Sequence, residues 1–512
     1  MTRRSLSLSS SANALLSAIG ALLSGGQGYL VGGSLRDALL ERQERQPADL
    51  DVAVPGDAAN FARDLASRLR GHFVLLDAQR GTARVVLDEG DIRTIDITRL
   101  RGDIRGDLQQ RDFTIDALAV SVAEVVDATS VELFDPHGGL ADLKAGVVRV
   151  VSEQALLDDP LRLLRAVRLA TQLDFQLAPE TAEAVRRHAE RIDQTAPERQ
   201  RDELARCFAT PRAATALRLM DRLGLLERLF PEVTAGRGVT QPKEHHWDVL
   251  DHAFETVAAL DFMLAEEEPS HGREARFWRT LWDALSFLPD LRSHLAEEVS
   301  EGRSRAGLLK LAGFLHDVAK PQTRAPDATG RIRFFGHAEQ GAATARDTLT
   351  RLRFSRREAE LVATMVEEHL RPGQLGQSAE GGPSRRALFR FFRDTGEAAE
   401  SVLLLSLADH LAARGPNLRL DGWRRHVAYI AHVLTRREEE ETIVHPPRLL
   451  TGNEIMATLA IGPGPEVGRL LAALEEAEAG GDIASREDAL TLARRLHTGN
   501  NERAFVGAGA SG

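Results

Sequence analysis

Two textures divide the chain. Between about residues 28 and 150, short β-like runs recur: Tyr29-Leu30-Val31, Leu50-Asp51-Val52-Ala53-Val54, Phe73-Val74-Leu75-Leu76, Arg84-Val85-Val86-Leu87 and Ile92 to Thr98. A helical stretch from Ala58 to Leu69 falls between them, which predicts a mixed α and β domain. From Leu156 onward the apolar residues follow helical spacing almost throughout, so the chain as a whole is α+β. Ahead of both, Ala12, Leu15, Leu16, Ile19, Leu22 and Leu23 keep helical spacing with serines between them. A signal peptide would carry a continuous apolar core, so this segment predicts an amphipathic helix on a cytoplasmic protein. No run is long and apolar enough to span a bilayer, and no membrane partner is expected.

Breaks near 151–158, at the Gly236–Pro242 turn and at His445-Pro446-Pro447 divide the chain into 1–150, 151–238, 239–440 and 441–512. The charged stretch 264–304 is expected to be loosely held. The Gly-, Ala- and Ser-rich last ten residues are expected to fray. A length of 512 residues fits three or four domains. The single cysteine, Cys207, excludes an intrachain disulfide and a C-x-x-C zinc site, and a reducing compartment fits. A net charge of −11 argues against coating nucleic acid by bulk electrostatics. Any nucleic-acid partner then requires a local, arginine-rich groove beside the reacting groups.

Gly32-Gly33-Ser34-Leu35-Arg36-Asp37 follows a predicted strand and opens a helix. Glycines there let backbone N–H groups approach phosphate oxygens, and Arg36 would sit near the same phosphates. Alone, the turn reads equally as structural. Asp49-Leu50-Asp51 begins the next strand, and alternation puts both carboxylates on one side. An isolated pair of this kind is most often solvated acid at a strand edge. Behind a glycine turn, it combines a phosphate cradle with oxygen ligands for Mg²⁺, which is what nucleotidyl transfer needs. Asp96, in Ile95-Asp96-Ile97, is a candidate third carboxylate facing Asp49.

Asp158-Asp159-Pro160-Leu161-Arg162 opens a helix, with Asp159 suited to its N-cap and Pro160 to its first turn. Arg162, Arg165 and Arg168 step by three along it. One reading is a capped amphipathic helix with its arginines in water. A sharper one uses complementarity: cytosine and adenine both present an amino donor beside a ring-nitrogen acceptor. Asp159 would accept from the first and Arg162 donate to the second, selecting C and A without a template. Arg165 and Arg168 would hold phosphate or shape the pocket.

In order, Tyr29 to Asp37, Asp49-x-Asp51, Arg111-Asp112-Phe113-Thr114-Ile115-Asp116-Ala117, Asp135-Pro136-His137-Gly138-Gly139 and Asp158 to Arg162 resemble the motifs of bacterial class II tRNA nucleotidyltransferases, the CCA-adding enzymes and their poly(A) polymerase relatives. The resemblance covers about 28 to 235. It implies a polymerase-β-like nucleotidyltransferase palm, then an all-α neck and body that hold the tRNA acceptor stem. It implies that Asp49 and Asp51 bind Mg²⁺ and act in catalysis. Gly32, Gly33, Arg36 and Arg111 would contact the triphosphate of CTP or ATP, and Asp159, Arg162, Arg165 and Arg168 would surround the base. The implied reaction adds C, or CCA, to the tRNA 3′ end with release of pyrophosphate. Three departures stand out: Asp158 replaces the usual Glu, Asp116 replaces an Asn, and only twelve residues separate Thr98 from Arg111. The family's full CCA pattern has a longer flexible loop there, and the short version resembles enzymes that add only CC.

In the later helical part, His252, His316-Asp317, His337, His369 and Asp409 form a spread of imidazoles and carboxylates. Such a set could enclose one or two ions and activate water. Its order matches the HD phosphohydrolase superfamily, which implies an all-α HD domain with phosphatase or cyclic phosphodiesterase chemistry. Lys320 could steady a phosphate. The ligand types accept Mn²⁺, Fe²⁺, Ni²⁺ or Co²⁺. Leu449 to about His497 resembles the family's short helical tail. The competing readings are a poly(A) polymerase of the same fold, a phosphohydrolase using mainly the HD domain, and a non-catalytic tRNA-binding protein.

Overall fold

The computed structural model describes residues 2–508 except 5, 7, 24–26, 41–48, 79–80, 128–129, 243–244, 289, 301, 376–381 and 440–447. The boundary expected at His445-Pro446-Pro447 therefore lies outside the described residues. The chain forms two compact units. The first holds 1–207 and 216–229, and the second 208–215 and 230–512.

The first unit is built on a six-stranded mixed sheet. Its strands are β1 (Tyr29–Val31), β2 (Asp49–Val54), β3 (His72–Asp77), β4 (Thr82–Val86), β5 (Thr94–Arg99) and β6 (Ala119–Ser121), in the order β3-β4-β5-β2-β1-β6. β2 and β5 run parallel, and the other pairings are antiparallel. Leu50, Val52 and Val54 alternate to one face and are fully buried. They pack with Ala62 and Leu65 of α3 (Ala58–Leu69) and with Leu16 and Ile19 of α1 (Ser10–Leu22). The α1 stripe is the amphipathic one that the sequence predicts, and the Ser9 hydroxyl caps it by accepting from Ala12 N–H at 3.1 Å. α2 (Gly32–Leu39) leaves β1 directly, and α4 (Ile104–Gln109) follows β5. The helical remainder includes α5 (Glu153–Asp158), α6 (Leu161–Leu173) and α7 (Pro197–Ala209).

The second unit is almost wholly helical. Its centre holds α8 (Val249–Met263), α10 (Arg305–Leu315), α11 (His337–Arg351), α12 (Arg356–Glu368) and α13 (Ala399–Ala413). Phe314 is the hub, with rings of Phe230 and Phe254 at 5.3 and 6.1 Å. Part of the stretch 264–304, expected to be loosely held, is packed instead. It folds as α9 (Gly272–Ala284), whose Ala275, Phe277 and Leu281 are buried. Phe277 O accepts from the indole of the fully buried Trp423 at 2.9 Å. The apolar stripe was hidden among charges, because a few buried positions suffice to dock a short helix. The tail forms helices Gly452–Leu459, Pro465–Gly480 and Arg486–Ala508 around Leu450, Ile455, Leu470 and Leu474. The backbone is thus helical through Ala508, where fraying was expected; residues 509–512 lie outside the described ones. Among the described residues no helix is long and apolar enough to cross a membrane.

Candidate active sites

The first site lies on the face of the sheet away from the Leu50 core. β2 and β5 pair with Asp49 opposite Thr94 and Asp51 opposite Asp96, so the three carboxylates share one face. Asp96 therefore stands beside Asp51 rather than Asp49. Thr94 Oγ1 donates to Asp49, and Arg84 grips both oxygens of Asp96 at 2.7 and 2.9 Å. Burial, then the neighbouring Asp96, pushes the Asp51 carboxyl up to about 6, against the pull of Arg111 and the Ser34 N–H. Crowded acids with a raised pKa fit a divalent cation, and an oxygen-only donor set suits Mg²⁺.

The glycine turn adjoins these acids. Gly32 adopts φ +67°, and a Cβ there would lie 3.0 Å from Asp51 Oδ2 and 3.3 Å from Arg111 Nη1. Backbone and space both demand glycine. Ser34 ties turn to strand: its hydroxyl accepts from Asp51 N–H at 3.0 Å and donates to Val31 O at 3.1 Å. Arg36 is buried, and its guanidinium donates to Asp116 at 2.7 Å and Asp37 at 2.9 Å. Asp116, in place of the family's Asn, is thus the partner of a buried arginine.

A cavity of about 180 Å³ opens on the same face, since its Thr98 lies two residues beyond Asp96. Arg99, Arg101, Arg111, Arg162 and Arg165 line it together with Asp107 and Asp112. This is the localised arginine surface that an acidic chain needs to hold polyphosphate or RNA.

Of the four residues expected around the base, Arg162 and Arg165 line this cavity, whereas Asp159 and Arg168 are outside its lining. Pro160, not Asp159, occupies the N-cap position of α6. Asp159 closes α5, and its two oxygens accept from Arg199 at 3.0 and 2.8 Å. Arg162 donates to Ala155 O and Gln110 O, each at 3.0 Å. Arg165 donates to Asp112 at 2.8 Å and Arg168 to the buried Glu203 at 2.6 Å. Burial raises Asp112, but Arg165 and Arg162 outweigh it and hold the carboxylate at about 2. Asp112 with Arg165 is thus one acid–arginine pair facing the cavity, and Asp107 with Arg111 at 3.2 Å is another.

The second site lies within the helical unit and gathers all six expected residues. His252 comes from α8, His316 and Asp317 follow α10, His337 opens α11, His369 follows α12, and Asp409 is on α13. The two Asp317 oxygens face different histidines. Oδ1 is 3.4 Å from His337 Nε2 and 3.8 Å from His369 Nε2, while Oδ2 is 3.2 Å from His316 Nε2 and 3.5 Å from His252 Nε2. Asp409 Oδ1 reaches His252 Nε2 at 3.0 Å. His316, His337 and His369 each place Nδ1 against a carbonyl three residues back, at 2.9, 2.6 and 2.6 Å. With the Nδ1 proton so committed, each Nε2 lone pair faces the cluster, as a metal-binding imidazole requires.

The residues fit metal on a direct observation: Asp317 Oδ1 and His337 Nε2 face each other, buried, and neither has a hydrogen-bond partner. A shared cation would satisfy both. Burial, then the charge of His316, drops the His369 imidazole to about 3, leaving it neutral. Lys320 Nζ stands 2.6 Å from Asp317 Oδ2, and a cavity of about 660 Å³ opens over the cluster.

Three sequence families match segments of the chain: the poly A polymerase head domain over 28–149, the probable RNA and SrmB-binding site of polymerase A over 174–236, and the HD domain over 290–414. An A-adding tRNA nucleotidyltransferase from Deinococcus radiodurans is 36% identical over 472 residues, 91% of this chain and 94% of that protein. A CC-adding tRNA nucleotidyltransferase from Thermus thermophilus is 37% identical over 469 residues, 90% and 92% of the two chains. The chain belongs to the tRNA nucleotidyltransferase family. Its fold is that of solved CCA-adding enzymes. An apo form aligns over 96% of this chain and 97% of that chain with a TM-score of 0.59 at 20% identity. The Thermotoga maritima enzyme complexed with tRNA aligns over 97% and 99% with a TM-score of 0.54 at 20% identity. The α+β class, with a polymerase head followed by helices and an HD domain, is as the sequence motifs implied.

Proposed function

We propose that this protein adds C residues to the 3′ end of tRNA without a template, using CTP and releasing pyrophosphate. The observation that carries the reading is the arginine-lined cavity on the same sheet face as Asp49, Asp51 and Asp96. The tRNA 3′-hydroxyl attacks the α-phosphate of CTP, a P–O bond forms, and the bond to the β-phosphate oxygen breaks. Asp49 and Asp51 hold Mg²⁺, which when bound lowers the pKa of the hydroxyl and neutralises the triphosphate. Gly32 and Gly33 leave room for the phosphates, and Arg111 with its neighbours steadies their charge. Asp159 and Arg162 select the base, with Arg165 and Arg168 fixing the walls beside them. Arg36 acts through Asp116 rather than by reaching solvent.

Addition stops after CC. Six of the twelve residues between Thr98 and Arg111 form α4, where Asp103 caps the helix and Ile104 and Leu108 are buried. Little chain is left for a mobile loop that could re-form the site for ATP. The helical unit is a metal-dependent phosphohydrolase using His252, His316, Asp317, His337, His369 and Asp409, loaded with Mn²⁺, Fe²⁺, Ni²⁺ or Co²⁺. The protein works in the cytoplasm.

The test uses Mg²⁺ and tRNA transcripts ending at the discriminator base, at C or at CC, each given CTP, ATP or both. Two additions from CTP, with the CC-ended tRNA left unchanged by ATP, are expected. Extension only of the CC-ended tRNA by ATP would make it an A-adding enzyme. A terminal A after CC would make it a full CCA enzyme, and a long A ladder a poly(A) polymerase. Asp49→Ala should abolish addition and spare phosphoester hydrolysis, and His316→Ala should do the reverse.

A further inference from the structure

We propose that His245 is a further metal ligand, closing a second cation subsite with His252 and Asp409. The proposal rests on reading the helical unit's cluster as a metal centre. Its ligand atoms fall into three overlapping triads: Asp317 with His337 and His369, His252 with His316 and Asp317, and His245 with His252 and Asp409. Within each triad the atoms lie within 4.8 Å of one another, about the span that one ion bridges with bonds of ~2.0–2.2 Å. The outer triads share no residue. One ion cannot serve both, and a second ion on the Asp409 side takes His245 as its third protein ligand.

His245 is placed for this role. Its ring packs edge-on against His252, with centroids 5.2 Å apart at 82°. Its Nδ1 is buried without a hydrogen-bond partner, as is Nδ1 of His252. The surrounding backbone is anchored on two sides. His245 N–H donates to Pro242 O at 2.9 Å, and His246 N–H donates to Ala413 O at 2.8 Å, at the end of the helix that carries Asp409. Gln241 accepts from Lys320 at 2.6 Å, tying the same segment to the residue beside Asp317. A packing histidine needs no such convergence with a second imidazole and a carboxylate. Two imidazoles and one carboxylate favour a borderline first-row cation over Mg²⁺. His245 also lines the cavity over the cluster, so the second ion would face incoming substrate.

The test uses the full-length protein stripped by a chelator and titrated with Mn²⁺, read by metal analysis and electron paramagnetic resonance. Wild type should show two classes of tight site, one lost in His337→Ala and the other in Asp409→Ala, with magnetic coupling between neighbouring ions. In His245→Gln one class should weaken by at least ~10-fold, the loss that even an outer-shell partner of a ligand carries. The coupled signal should give way to that of isolated Mn²⁺. The rise in melting temperature on adding Mn²⁺ should shrink, and CTP incorporation should stay at the wild-type level as a check on folding. His245→Asn provides a second variant should Gln disturb the packing. Wild-type stoichiometry, affinity and coupling in both variants would overturn the His245 assignment and leave the metal centre standing. Equal Mn²⁺ binding by wild type, His337→Ala and Asp409→Ala would overturn both.

Discussion

Asp51→Asn should stabilise the metal-free protein while destroying nucleotidyl transfer. Asn keeps the shape of Asp and retains an oxygen for the Ser34 N–H, but it carries no charge to repel Asp96. The Asp51 carboxyl is raised from an ordinary 3.8 to about 6. At 1.36 kcal/mol per unit this is about 3 kcal/mol of strain on the ionised form. Asp51 keeps part of its surface in contact with water, and screening trims the figure to about 2 kcal/mol. The sign follows from linkage. Between pH 3.8 and about 6 the folded state binds more protons at Asp51 than the unfolded state, so its contribution to stability falls as pH rises through that window. The full cost is present above pH 6. Denaturant melts of wild type and Asp51→Asn in excess chelator, from pH 4.5 to 8, measure the difference directly. It should be small at the acid end and grow to about 2 kcal/mol in favour of the variant by pH 7.5. Mg²⁺ should close the gap by stabilising wild type alone. A variant less stable than wild type at pH 7.5, or a difference flat with pH, would refute the charge-crowding argument.

Glu203→Ala removes the acidic partner of Arg168 and one of the two acidic partners of Arg165, because the buried Glu203 takes both arginines. It should cost about 3–5 kcal/mol in urea melts of the nucleotidyltransferase unit. Trp423→Ala opens a cavity beneath α9 and should cost about 3–5 kcal/mol. It should also expose 264–304 to limited proteolysis, whereas a loosely held stretch would be cut equally in wild type. Arg199→Ala frees Asp159 from its bidentate partner and should reduce discrimination of CTP over UTP by about tenfold in kcat/KM. Arg199→Lys, which cannot make the two-pronged contact, should not restore it.

The sequence displayed the chemistry that depends on local order. The Gly32–Asp37 turn and the Asp49-x-Asp51 alternation are properties of one strand or one turn, and they folded as the pattern implied. The HD set was also legible, because His-Asp adjacency and single histidines on successive helices can be counted along the chain. His245 was passed over because it sits in a connecting segment that read as a boundary. Only the fold brings that segment beside Asp409. The helix at 272–284 was missed for a related reason: its buried stripe is short and surrounded by Glu and Arg, so local charge masked a packing face.

Pairing among charges was the least legible layer. In α6 the spacing of Arg162, Arg165 and Arg168 is plain, but which acid each one meets depends on residues 35 to 53 positions away. Complementarity suggested Asp159 with Arg162 as the base reader. The fold adds Arg199 as a partner of Asp159 and gives Arg162 two backbone oxygens to hold it. The two proposals are compatible on energetic grounds. A carboxylate held by two guanidinium N–H groups still has lone pairs to accept from a base amino group, and it is already oriented when the base arrives. Fixing the reader in advance removes side-chain entropy that nucleotide binding would otherwise have to overcome. Arg199 then sharpens selection of cytosine without touching it, which is why its removal should show in discrimination.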